Sequence, residues 1–256
     1  MNDRDEIQAK SVPAVRRAVA ILRLLAGEPA PQNLSQIARG TATLPSTALH
    51  ILRELATARL VTIDPGLKIY RLGSGLIELA QAAARHSEFV DIVRPELLNI
   101  AWRFEVTAIA TAALDVDHNA CIASVSPPDA MSLNVTVGGR VPALAGAAGR
   151  CIAAFSDTPL PVVRQRFDRI RWQQPLGFDA WLAQVDQVRK IGFAEDDGLF
   201  ARGVTTLAAP VFNRDGSVTR AIGIVTISAA LEPGKRPLIA EALRNSAALI
   251  AARLAA

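Results

Sequence analysis

The sequence predicts an α+β protein of two domains joined by a helix, and three observations predict it. Residues 33–72 run helix, helix, hairpin; the hydrophobic period changes from helical to alternating after Glu105; and all the excess positive charge lies in the first third of the chain. At 256 residues the chain exceeds the usual size of one domain, and half of its residues are hydrophobic, so two cores can be filled. Boundaries are expected at residues 10–73, 74–87 and 88–256.

The first helix is expected over Ser11–Ala26, where Val15, Val19, Leu22 and Leu25 make one apolar face and Arg16, Arg17 and Arg23 sit elsewhere. Gly27-Glu28-Pro29-Ala30-Pro31 stops it, because proline cannot donate and restricts its predecessor. Asn33 with Gln36 has the spacing of a capping box, so a second helix starts at Leu34 and turns Leu34, Ile37 and Ala38 inward. After the turn Gly40-Thr41-Ala42-Thr43, Pro45 opens a third helix, Pro45–Ala58. Ala48, Ile51, Leu52 and Leu55 fall on its buried face, leaving Ser46, Thr47, His50 and Arg53 outward. Leu60–Ile63, the turn Asp64-Pro65-Gly66 and the alternating run Lys68–Leu72 then form a hairpin.

That order is the order of a winged helix. Short hydroxyls near a helix N-terminus, followed by longer donors, are what a reader of duplex DNA uses, and Lys68 and Arg71 on the hairpin are placed to touch phosphate. A solvated helix face explains the same four residues, and a winged helix used only for protein contacts is a further reading. Charge favours DNA. Lys10 to Arg71 carries 9 basic against 3 acidic residues, whereas residues 87–256 hold 17 of each.

Gly73-Ser74-Gly75 punctuates the chain before an alanine-rich helix, Leu76–Arg85, whose Leu76, Leu79, Ala80 and Ala83 side is suited to packing on another subunit or on the second domain. The second domain opens with a helical pattern, Phe89–Phe104, interrupted at Pro95. An antiparallel meander follows: Val106–Leu114, a turn at 115–119, Cys121–Ser126 and Met131–Val137, ended by Gly138-Gly139-Arg140-Val141-Pro142. Small residues run through Gly149 to a helix from Arg150, and helical patterns return at Pro161–Ile170 and Phe178–Ile191. Strands Thr205–Phe212 and Val218–Ser228 flank the turn Asn213–Gly216, and a last helix spans Pro237–Leu254.

Composition excludes several classes. Met1–Ala9 has no apolar h-region and no segment reads as a membrane span, so a soluble cytoplasmic protein without membrane contact is expected. Two cysteines, Cys121 and Cys151, are too few for a metal-site pattern, and no metal or cofactor is expected. His50, His86 and His118 lack a neighbouring pattern of nucleophile and base, and Gly146–Gly149 lacks the lysine and hydroxyl of a P-loop, so the chain is not read as an enzyme. The alternative is thiol chemistry at Cys121 and Cys151, as a redox sensor or reductase; against it, isolated cysteines on apolar elements usually pack as small hydrophobes.

From about Ser11 to its C-terminus the chain resembles the IclR family of bacterial transcription regulators. The residues that carry the resemblance are Ala38-Arg39-Gly40-Thr41-Ala42-Thr43-Leu44-Pro45-Ser46-Thr47, the wing Asp64–Gly73 with its Tyr70-Arg71-Leu72-Gly73 ending, Gly192-Phe193-Ala194-Glu195-Asp196-Asp197-Gly198, Gly203 and Ala208-Ala209-Pro210-Val211. Three positions depart from the pattern: Ala42 where a turn glycine is common, His50 where arginine is frequent, and Arg53 where a small residue is frequent. The resemblance implies a winged helix-turn-helix, a linker helix and a GAF-like α/β effector-binding domain. It also implies a homodimer, or a dimer of dimers, on a roughly palindromic DNA operator, with a small organic effector changing the geometry.

The resemblance puts the effector between the sheet and the loops at Ala145–Gly149, Asp196 and Val204–Thr206. Physically, an apolar wall of Val204, Leu207, Ile222 and Ile224 would carry a few polar groups: Thr206, Thr226, Asp196 and the N–H groups of Ala147, Ala148 and Gly149. Small residues before a helix suit a carboxylic acid. Gly223 and Val225 stand where relatives often have serines, which favours a more apolar, aromatic acid. Asp196-Asp197 also reads as a solvated turn, and Thr206 and Thr226 as ordinary strand residues.

Overall fold

A computed structural model describes residues 12–85, 88–128 and 132–255. Ser11, His86, Met131 and the side chain of Ala83 therefore lie outside the described residues. The chain falls into two compact units, Met1–Ser87 and Glu88–Ala256.

In the first unit, α1 (Pro13–Gly27), α2 (Leu34–Gly40) and α3 (Pro45–Thr57) close on one core with a small sheet. Asn33 accepts from Gln36 N at 3.0 Å while the Gln36 side chain accepts from Asn33 N at 2.8 Å, so the capping box sets the start of α2. The sheet has three strands, not two. Besides β2 (Val61–Asp64) and β3 (Ile69–Leu72), the pair Gln32–Asn33 forms β1 and lies against β3. The α1 face also differs from expectation. Val15 is 60% exposed and Val19 exposed, while Ala18, Ile21, Leu22 and Leu25 face the core. Both sets obey helical spacing; the larger Ile21 takes the centre.

The turn between α2 and α3 holds Ala42 at φ +48°, in the left-handed region where a Cβ costs free energy. Ala42→Gly should therefore stabilise this unit by about 0.5–1 kcal/mol, the strain relieved less the extra chain entropy of glycine. A urea midpoint that falls instead of rising would show that the turn is not strained. The unit ends in α4 (Gly75–Arg85), where Ile77 and Leu79 are exposed.

The second unit is a six-stranded antiparallel sheet with helices on both faces. Its elements are α5 (Glu88–Phe104), β4 (Thr107–Ala113), β5 (His118–Val125), β6 (Arg140–Pro142), α6 (Gly146–Ala154), α7 (Leu160–Phe167), α8 (Phe178–Ile191), β7 (Ala194–Asp197), β8 (Val204–Phe212), β9 (Val218–Ile227) and α9 (Lys235–Ala255). Strand order is β6-β5-β4-β9-β8-β7. One core lies under α5 and α9, with Val93, Leu97, Ile100, Ile222, Ile224, Ile239 and Leu243. On the other face α6 and α8 bury Cys151, Trp181 and Val185 against Ala208 and Ala221.

Three expectations are corrected here. The helix runs through Pro95, because Pro95 and Asp91 are both exposed: the missing hydrogen bond faces water while Phe89, Val93 and Leu97 anchor the inner face. Residues 132–136 are not a strand. Thr107 Oγ1 donates to Leu133 O, so this segment crosses the face of the sheet, and Arg140–Pro142, expected to end the sheet, pairs with β5 as its edge. Finally, α6 starts at Gly146, four residues before Arg150. Among the described residues, no helix is long and apolar enough to cross a membrane.

Candidate functional site

On α3, Ala48, Leu52 and Leu55 seal the core while Ser46, His50 and Arg53 are exposed and Thr47 is half-buried. The wing is set by Asp64, whose Oδ1 accepts from Gly66 N and Leu67 N at 3.0 Å each, and Lys68 and Arg71 project from it exposed. Among the described residues, none of His50, Arg53, Lys68 and Arg71 has an ion-pair partner. Their donors are therefore available to an external acceptor.

The second unit encloses a cavity of about 400 Å³ between the sheet and a cover made by residues 134–141, Phe200 and the start of α6. Register decides its walls. Thr206 on β8 lies opposite Val225 on β9, and Ala208 opposite Gly223, so these four share a face with Ile109 and Thr111 on β4. Val204, Thr206, Ala147, Ala148 and Asp196 line the cavity. Sequence reasoning missed Ile109, Thr111, Cys121, Asn134, Thr136 and Phe200, which only the cross-strand register and the crossing loop bring there.

Other expected residues lie elsewhere. Thr226 is one residue out of phase with Val225 and faces the opposite side of the sheet. Leu207 and Ile224 border the cavity but belong to the core under α5 and α9, and Ile222 does not reach it. Gly149 is also outside: its N–H donates to Ala145 O at 3.2 Å, and a Cβ there would stand 2.7 Å from Ala143 O. Glycine at 149 lets α6 press onto the chain before it; it does not open a path to a ligand.

The first turn of α6 supplies the donors. Ala147 N donates to Thr206 Oγ1 at 3.1 Å, whereas the N–H groups of Gly146 and Ala148 have no acceptor among the described residues. Beside them Asp196, 2% exposed, is already engaged. Its Oδ2 takes Arg150 Nη1 at 2.9 Å, and its Oδ1 takes the N–H groups of Leu199 and Phe200. Arg150 is fully buried, with Nη1 also on Gly146 O and Nε on Gln184 Oε1. Burial pulls its pKa down, and the neighbouring carboxylate pulls it back up. Sequence reasoning passed over Arg150; the available signal was one charge in the apolar run Ala143–Ala154, four residues after Gly146.

The thiols do not form a reactive pair. Cys121 Sγ donates to Ala123 O and Cys151 Sγ to Ala208 O, and burial raises both pKa values. Thiolate chemistry is thereby suppressed. The cavity can hold a mainly apolar molecule with an anionic or acceptor end at Gly146 and Ala148.

Residues 14–65 match the family model of the IclR helix-turn-helix domain, and residues 81–252 that of the bacterial transcriptional regulator IclR C-terminal domain. A glycerol operon regulatory protein of Streptomyces griseus is 28% identical, the alignment covering 97% of this chain and 98% of that one. The HTH-type transcriptional regulator KdgR of Escherichia coli strain K12 is 26% identical over 85% of this chain and 83% of its own. Among solved structures, an IclR transcriptional regulator from Alicyclobacillus acidocaldarius superposes with a TM-score of 0.84 at 27% identity, covering 96% and 100% of the two chains. An IclR homolog from Microbacterium hydrocarbonoxydans, solved with 4-hydroxybenzoate, gives 0.75 at 21% identity, covering 94% and 98%.

Proposed function

The chain belongs to the IclR family of bacterial transcriptional regulators, which bind DNA and are not enzymes, and from that premise we propose how its two units divide the work. Ser46, Thr47, His50 and Arg53 read an operator in the major groove, Lys68 and Arg71 hold the flanking phosphates, and a small organic acid in the 400 Å³ cavity sets operator affinity. The observation that carries this reading is the α3 surface, on which His50 and Arg53, both exposed and without ion-pair partners among the described residues, stand opposite a sealed core. The protein works in the cytoplasm as a homodimer or a dimer of dimers. A second copy would cover exposed Val12, Val15, Ile77 and Leu79 and match a two-fold operator.

For the effector, the apolar wall of Ile109, Val204, Gly223 and Val225 suits a ring, and the free N–H groups of Gly146 and Ala148 suit a carboxylate. Size agrees, since a dry cavity of roughly 150 Å³ already holds benzene. The relative solved with 4-hydroxybenzoate supports an aromatic acid. Asp196 acts by positioning: it ties Arg150 and the 199–200 loop to the cavity wall.

Arg53→Ala should relax preference at one base pair and cost about 1–3 kcal/mol on the operator, whereas Lys68→Ala should weaken operator and random duplex alike and flatten the salt dependence. Fluorescence anisotropy across a salt series separates the two. Equal losses on both duplexes for Arg53→Ala would remove it from base reading. A thermal-shift screen of aliphatic and aromatic mono- and dicarboxylic acids tests the effector, because a ligand at 100 times its Kd adds about 2.7 kcal/mol.

A further inference from the structure

Thr226, displaced from the effector cavity by the register of β9, opens into a second one. This cavity, of about 380 Å³, lies where α5 turns into β4, β5 ends and α9 begins, and Trp102, Glu105, Pro127, Pro128, Thr226 and Lys235 line it. Thr226 is only 6% exposed, and its hydroxyl lines this cavity without a hydrogen bond to another described residue. A hydroxyl presented to a cavity with no partner on the protein is free to bond a molecule that enters it.

The surroundings specify that partner. Trp102 is 58% exposed, a large indole face left open on the outer side of α5, which also exposes Asp91 and Pro95. Glu105 follows the last residue of α5 at φ +58°, a left-handed site at a helix end where glycine or asparagine is the ordinary choice. A carboxylate is held there in a strained backbone, with no ion-pair partner among the described residues. Lys235, half-buried at the first turn of α9, brings an ammonium group whose one ion pair among the described residues is with Glu232 on its own chain segment, at 3.2 Å. An indole face with a carboxylate recognises an ammonium ion; a lysine and a hydroxyl donor recognise a carboxylate.

We propose that this second cavity binds a small zwitterion of the α-amino acid class. The ammonium sits at Glu105 and Trp102, the carboxylate at Lys235 and Thr226, and the side chain lies along Phe104, Pro127 and Leu231. The site is separate from the organic-acid cavity, because Val225 faces one and Thr226 the other.

Calorimetric titration of the full chain, without DNA, tests it, with L-leucine and L-phenylalanine as probes and 3-phenylpropanoate and phenethylamine as the two halves of the latter. At least one amino acid should bind below about 10 mM, and each half should bind about tenfold more weakly at this site. Thr226→Val and Trp102→Ala should each lower the amino-acid affinity several-fold, while Thr206→Val, in the other cavity, leaves it unchanged. Thr226→Val without ligand should melt no lower than the parent, which certifies its fold. The proposal is overturned if neither amino acid binds, if phenethylamine binds as well as L-phenylalanine, or if Thr206→Val abolishes amino-acid binding while Thr226→Val spares it; 3-phenylpropanoate binding that Thr206→Val removes belongs to the organic-acid cavity. None of these outcomes bears on operator recognition.

Discussion

Replacing Asp196 by alanine is expected to destabilise the C-terminal unit by about 3–5 kcal/mol, a loss typical of breaking a buried ion pair from one side. Asp196 balances Arg150, which has no contact with solvent and whose Nη2 already lacks an acceptor among the described residues. Removing the carboxylate leaves a cation in the interior, and also frees the N–H groups of Leu199 and Phe200. Asp196→Asn keeps the shape and part of the hydrogen bonding, so it should lose less. The double substitution Asp196→Ala with Arg150→Met should lose less than the two single changes added together, since the unpaired charge is gone. Urea unfolding followed by tryptophan fluorescence checks this, all three tryptophans being in this unit. A cost under about 1 kcal/mol for Asp196→Ala would mean that the pair does not hold α6 to β7. For the same reason, altered effector response in Asp196→Ala is no evidence of direct contact with a ligand.

Gly73→Ala should damage the other unit comparably, by about 3 kcal/mol, near the upper end for added volume in a close-packed place. A Cβ at this position would stand 2.2 Å from Arg59 O and 2.9 Å from Arg59 C, both backbone atoms that no rotamer change can move. The Gly73 N–H donates to Leu60 O and Gly75 N–H to Arg59 O, so the end of the wing is fastened to the end of the recognition helix. Separating them displaces Lys68 and Arg71 relative to Arg53. Operator affinity should fall sharply while the fluorescence transition of the C-terminal unit keeps its midpoint. Unchanged operator binding in Gly73→Ala would show that the wing and helix move independently.

How much of this was legible in the sequence depended on how local each signal is. The capping box at Asn33, proline at the start of α3 and the Asp64-Pro65-Gly66 turn are read within four residues, and the winged helix followed from them. The two residues of β1 are too few to show a period, and they also serve the start of α2. The α1 face was ambiguous because Val15-Val19-Leu22 and Ala18-Ile21-Leu25 both fit a helix. In the second unit Ala147, Ala148, Asp196, Val204 and Thr206 lie on the cavity, but the expected wall takes β9 in the phase of Ile222, Ile224 and Thr226, although the resemblance points to Gly223 and Val225, which do line it. Strand phase is fixed by pairing with a distant strand, and so is invisible to a reading of neighbours along the chain.

The two margins of the large sheet are β6, three residues, and β7, four. Unpaired margins are templates on which another chain can zip, and here they are short and charged: Arg140 opens β6, while Glu195 and Asp197 on β7 are tied to Arg236. Too few free backbone groups remain for a foreign strand to be added. Fibril growth from either margin of this sheet should be disfavoured for the same reason.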